Sequence, residues 1–162
     1  SVWVEQGHLT ATDGKLVRFD RVAADIVDLS QRFPLVLLAY DRWLYSRFDD
    51  ALEELGATLP VIEHPQGTNR RKDSPLWMPE SINQLEALLL EGRLRIEVNP
   101  ALRSAVASAC FYTTPAGLRR FEKQRATGRI DMAVAAAMAV GAAMSTETVE
   151  PSVYEERGLL LV

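Results

Sequence analysis

The chain has 162 residues, 48% of them hydrophobic and 25% charged, with a net charge of −4. That is ordinary composition for one domain able to bury a core; it excludes a polycation, so any nucleic-acid contact must come from local basic patches. A single cysteine, Cys110, excludes an internal disulfide and a cysteine-rich zinc site. No signal peptide is visible, which predicts a cytoplasmic protein, and the longest apolar segment, Met132 to Met144, is too short to span a bilayer. The chain opens on Ser1-Val2-Trp3-Val4 without an initiator methionine, as if cut from something longer. Trp3-Val4 and His8 to Thr12 predict one or two short strands around Gln6-Gly7. From Leu16 to Phe33 apolar residues recur at three- and four-residue steps, an amphipathic helix whose solvated side carries Asp20, Asp25 and Asp28. Pro34 ends that helix and opens Leu35-Val36-Leu37-Leu38-Ala39, an apolar run that reads as an inner strand buried on both faces and stops at Tyr40-Asp41. Leu44, Tyr45, Phe48, Leu52 and Leu55 mark a second helix, closed by Gly56, and Pro60 to Glu63 a further strand.

Gln66 to Pro75 is a polar loop carrying Arg70, Arg71 and Lys72; a charge run of this kind is usually a solvated face. Pro79 opens a helix containing Ile82, Leu85, Leu88 and Leu89, and Gly92 stops it. Leu94, Ile96 and Val98 alternate with Arg95 and Glu97 and predict a half-exposed strand. Asn99-Pro100 leads into a helix over Ala101 to Ala107. Ala109 to Thr113 and Leu118 to Phe121 flank Pro115-Ala116-Gly117 as a β-hairpin with a basic second arm of Arg119, Arg120 and Lys123. The last helix starts at Asp131, and its alanines permit close approach to a sheet. Residues 145–162 form a tail expected to dock by Leu159-Leu160-Leu161 or stay loose. Alternating strands and helices predict a layered α/β fold.

No phosphate-binding glycine loop and no nucleophile elbow is present. His8 and His64 are isolated and read as surface residues. Carboxylates remain. Asp41 ends a strand at the edge where ligands bind in open α/β sheets, and Asp131 opens a helix. On the residues alone each reads first as a helix cap. The alternative is a shared hard-oxygen site for Mg²⁺ or Mn²⁺ serving phosphodiester hydrolysis.

Three stretches weigh on that choice: Leu38-Ala39-Tyr40-Asp41-Arg42-Trp43, Gly128-Arg129-Ile130-Asp131-Met132-Ala133-Val134-Ala135, and Ser152-Val153-Tyr154-Glu155-Glu156-Arg157-Gly158. In this order and spacing, with Ser74-Pro75, Glu91-Gly92-Arg93-Leu94 and Asn99-Pro100 between them, the chain resembles the C-terminal nuclease domain of tailed-phage, or prophage, terminase large subunits. The resemblance implies a ribonuclease H-like fold, a mixed sheet flanked by helices with an inserted β-hairpin, over residues 1–144. It implies a metal-dependent endonuclease that cuts concatemeric double-stranded DNA during packaging, using two Mg²⁺ or Mn²⁺ ions. By that match Asp41 and Asp131 are metal-binding and catalytic. The basic hairpin, including Lys123, lies where the family places residues near the DNA backbone, and backbone-directed DNA contact is expected through Arg70, Arg71, Lys72, Arg119, Arg120 and Lys123. The implied partners are double-stranded DNA, the small terminase subunit and the portal protein, in a homo-oligomeric motor assembled in the bacterial cytoplasm, away from any membrane. The family's first strand, with its first metal-binding aspartate, and its ATPase region would lie upstream of Trp3. The expectations are therefore an open edge beside the strand ending at Asp41, weak metal binding, and little or no cutting by these residues alone. The competing reading is a non-catalytic domain that docks on the portal or partner subunits.

Overall fold

The computed structural model describes residues 2–12, 14 and 16–147. Ten elements occur in it: α1 Val2–Glu5, α2 Phe19–Arg32, β1 Leu38–Tyr40, α3 Tyr45–Glu54, β2 Val61–Glu63, α4 Met78–Leu90, α5 Pro100–Ser108, β3 Phe111–Thr113, β4 Arg119–Phe121 and α6 Asp131–Glu147. Among the described residues the strands form two separate pairs. β1 and β2 are parallel, with Leu38 opposite Val61 and Tyr40 opposite Glu63; β3 and β4 are antiparallel, with Phe111 opposite Phe121. The fold is α/β, with small sheets set among helices.

Helix ends fall where the sequence marks them. Gly56, at φ +63°, turns the chain after α3: its N–H donates to Glu53 O and Ala57 N–H to Leu52 O, the paired bonds of a Schellman stop. Gly92 ends α4 in the same way, with Arg93 N–H bonded to Leu88 O. Asn99 caps α5, its Oδ1 accepting from Ala101 N (2.9 Å) and Leu102 N (3.1 Å). The predicted hairpin closes through Gly117, whose N–H donates to Thr114 O.

The core has two clusters. Met78 and Ile82 of α4 pack with Ile130, Val134, Ala137 and Met138 in and before α6. Ala23 of α2 packs with Phe48, Ala51 and Leu52 of α3. β1 lies between them. Successive strand residues point to opposite faces, so Leu38 meets the α2/α3 cluster and Ala39 meets the α4/α6 cluster. This explains the apolar run before Asp41.

The strand is not an inner one, however. Among the described residues β1 pairs only with β2, so its other edge is open and Val36, just upstream, is 70% exposed. Beside that edge runs an apolar groove of about 680 Å³, walled by Ile26 and Leu29 of α2 and by Ala135, Met138, Ala139 and Ala142 of α6. Among the described residues no strand pairs with this edge, so the inner position read from the apolar run is corrected to that of a strand covered on its two faces and bare at one side.

Two other expectations fail. Val2–Glu5 is a helical turn, with Gln6 N–H bonded to Val2 O, and Leu9 to Thr12 form no strand. Leu94 to Val98 lie in irregular chain, Ile96 and Val98 being exposed, because alternation without a partner edge makes no ladder. α6 continues through Glu147; the rest of the expected tail, including Ser152 to Gly158 and Leu159 to Leu161, lies outside the described residues. No helix among the described residues is long and apolar enough to cross a membrane.

Candidate functional site

Asp41 leaves the carboxyl end of β1 half-buried, and its Oδ1 accepts a hydrogen bond from Trp43 N–H at 3.1 Å. That bond closes a turn rather than capping α3: the residue before α3 is Leu44, which makes no side-chain cap. Leu44 stands at φ +64°, the one non-glycine in the left-handed region among the described residues. Both ends of the turn are clamped by the rings of Tyr40 and Tyr45, stacked at 3.7 Å. The Tyr45 hydroxyl, bonded to Asp49 at 3.0 Å, is pushed up to about 12 by burial first and by the Asp49 carboxylate second.

Beside Asp41 lies the end of β2. Glu63 is tied by Arg71, whose guanidinium sits 2.7 Å from Glu63 Oε1 and 2.8 Å from Asp73 Oδ2. Its hydrogen bond to Asp73 holds that carboxyl below the usual range. His64, expected at the surface, is fully buried. Its backbone N–H donates to Tyr40 O at 2.8 Å, extending the β1/β2 ladder to the residue before Asp41. The imidazole bridges β2 to α4, with Nε2 2.8 Å from Ser81 Oγ and Nδ1 3.2 Å from Pro65 O. A neutral ring meets both partners if Nδ1–H donates to Pro65 O and Nε2 accepts from Ser81. Burial lowers the pKa of this ring, opposed first by the backbone hydrogen bonds of Pro65 and His64 itself and last by the Asp41 charge.

Asp131 opens α6 in its first turn and is exposed, with Oδ1 2.9 Å from Lys123 Nζ. The neighbouring Ile130 and Val134 belong to the cluster against which Ala39 of β1 packs. The two aspartates thus extend from elements that share one core cluster. No hydrogen bond joins them among the described residues. Their oxygens suit a hard dication in kind, and Asp41 Oδ2 accepts no hydrogen bond from the described residues. In number the fit falls short: no three His, Cys, Asp or Glu among the described residues are grouped to hold an ion.

The basic candidates divide. Arg71 is committed to Glu63 and Asp73. Arg119 pairs with Glu86 and bonds Asn83, its guanidinium 5.5 Å from the centre of the Phe111 ring. Arg120 pairs with Glu122 at 3.2 Å and lies over Tyr112. Arg70 lies over Trp77, and Lys72 is exposed with no ion pair among the described residues. A cleft of about 250 Å³ brings Lys123 and Arg120 alongside Gln66, two residues past His64. Isolated residue types gave no warning of the His64–Ser81 bridge or the Arg71 clamp. Trp43 closes one of the stretches that carry the family resemblance, but nothing in the sequence gives it a role of its own.

Comparison with known proteins adds the following. Residues 1–147 match the family model described as terminase large subunit, endonuclease domain. The chain is similar to the large terminase subunit of Enterobacteria phage HK97, with 36% identity over 155 residues, covering 96% of this chain and 29% of that protein. The crystal structure of the HK97 bacteriophage large terminase superposes with a TM-score of 0.78 at 38% identity, covering 87% of this chain and 28% of that one. The large terminase nuclease from the thermophilic phage G20c, 16% identical, superposes at 0.57 over 78% of this chain and 63% of that one, a likeness of fold.

Proposed function

The chain belongs to the endonuclease-domain family of phage terminase large subunits, and from that premise we propose that it is the DNA-cutting module of a packaging motor. It spans about 29% of the length of its HK97 relative, so the ATPase, the portal, the small subunit and the homo-oligomer are parts of the proposal. So is the ribonuclease H-like reading of the fold. The substrate is the phosphodiester of concatemeric double-stranded DNA.

One observation carries this reading. Asp41 at the carboxyl end of β1 and Asp131 at the start of α6 extend from elements that share one core cluster. Asp41 closes a turn ahead of α3 instead of capping it, and Asp131 reaches outward to Lys123. Asp41 and Asp131 are the residues that would hold Mg²⁺ or Mn²⁺. A divalent ion held there would supply the chemistry of water activation and leaving-oxygen stabilisation. The turn hydrogen bond fixes Asp41 Oδ1 and aims the carboxylate. Lys123 neutralises Asp131 and is the cation beside it that could turn to a phosphate oxygen. Lys72 and Arg70 extend the contact along the backbone.

With two carboxylates, metal binding is weak and this chain alone cuts little. Calorimetric titration with Mn²⁺ tests the site: weak binding is expected, absent in Asp41→Ala and in Asp131→Asn, both folded. In a longer protein that contains this chain and cuts plasmid, Asp131→Asn should abolish the cutting, because the amide keeps the shape and loses the charge. Robust cutting by the present chain that Asp41→Ala abolishes would show two carboxylates to be enough. A second reading, in keeping with only two carboxylates being placed toward one core cluster among the described residues, is a non-catalytic docking domain. That reading stands if a longer protein containing this chain shows no thermal shift with either ion.

A further inference from the structure

The turn after β1 carries more than a carboxylate. Trp43 is 80% exposed, although an indole is among the costliest apolar groups to leave in water. It is also held in place. Asp41 Oδ1 binds its backbone N–H, Leu44 behind it takes a left-handed conformation that a leucine avoids, and the stacked Tyr40 and Tyr45 rings fix the base of the turn. An exposed aromatic on a strained, over-determined turn points to a function for that turn. Beneath it lies a hollow of about 230 Å³ whose lining includes Tyr40, Asp41, Trp43 and Phe48.

We propose that Trp43 is a DNA-contacting residue, packing its indole on the sugar and base of the nucleotide beside the phosphate that Asp41 faces. The proposal rests on the nuclease reading and adds a non-ionic contact to it. Three features favour a nucleotide over a protein partner. Trp43 shares a hydrogen bond with the carboxylate that would hold the metal. Arg42 precedes it and Arg47 follows in the first turn of α3, so the turn is flanked by cations on both sides. The exposed apolar surface is one indole and about half of Leu44, far below the roughly 800 Å² that each partner gives to a stable protein interface. A planar indole tolerates any base, which suits a contact made without regard to sequence.

Fluorescence anisotropy with a labelled duplex oligonucleotide, metal-free and at low salt, tests this on the chain as it is. Trp43→Ala should weaken binding about tenfold, within the range for losing one aromatic–nucleotide contact. Trp43→Phe should stay within about threefold of the wild type. Because no charge is removed, the slope of log affinity against log salt should not change. Affinity of Trp43→Ala within twofold of the wild type overturns the assignment of Trp43 and leaves the nuclease reading standing. Failure of the wild-type chain to bind duplex at low salt overturns the DNA reading, and this contact with it.

Discussion

Burial of the His64 imidazole disfavours its charged form and lowers its pKa. In the unfolded chain the same ring titrates near 6.5. Below that value the unfolded state binds more protons than the folded one, so folding stability rises with pH through this window and is lost on acidification. Above it the ring is neutral in both states and contributes no slope. Asp20, Asp73 and Glu86, each held below the ordinary carboxylate range by an arginine side chain, lose their contribution only at lower pH, through and below the usual acid range. The two windows are therefore separable. The thermal midpoint of the wild type should fall between pH 7 and pH 5, and His64→Gln, which keeps a polar group facing Ser81, should flatten that fall. Parallel pH profiles in the two proteins would place the titrating group elsewhere. Nothing in His-Pro-Gln after a short strand revealed this burial, because it depends on α4 and α6 closing over the ring.

Those two helices meet at Gly141. A Cβ there would collide with the Ser81 side chain and come within 3.2 Å of His64 Nε2. The alanines of the helix starting at Asp131 predict close approach to a sheet, but the surface approached at Gly141 is another helix, α4. The buried positions Ala137 and Gly141 face α4 while Ala135 and Ala139 line the open groove. Gly141→Ala gains about 1 kcal/mol of helix propensity and incurs overpacking of about 1–3 kcal/mol. Because the clash includes Ser81 Cβ as well as its hydroxyl, rotation of the serine cannot relieve it, and overpacking wins. Chemical denaturation should show Gly141→Ala destabilised, with part of the loss recovered in the Gly141→Ala/Ser81→Gly double variant. The pattern of elements was legible wherever a period and a stop signal coincided, as in α3 with Gly56 and α4 with Gly92. It failed at Val2–Glu5 and Leu94–Val98, where four or five residues alternate or cluster without any signal for what they pack against. Pairing between distant strands is decided by tertiary contact, which short windows do not contain.

At the scale of the molecule the charges largely satisfy one another. α2 pairs its own acids and bases, Arg21 with Asp25 at 3.0 Å and Arg32 with Asp28 at 3.9 Å, and the hairpin bases pair with Glu86, Glu122 and Asp131. Six bases legible as a DNA-facing set are therefore not six equal phosphate contacts. Sequence exposes the sign of a side chain; it does not expose whether a carboxylate has already claimed it, and so it names candidate residues without their availability. This sets the expected salt dependence. Six full phosphate contacts on duplex DNA would give a slope of log affinity against log salt near about −5. With Arg71 and Arg119 committed internally, the slope should be shallower. Lys72→Ala should reduce its magnitude by about 0.9, the share of one phosphate. Arg119→Ala should leave the slope nearly unchanged and lower the thermal midpoint, since it removes the contacts to Glu86 and Asn83 that tie the hairpin to α4 and the ring contact to Phe111 within the hairpin. If instead both variants reduce the slope equally, the ion pairs open on DNA binding, and the hairpin bases turn outward to meet the backbone.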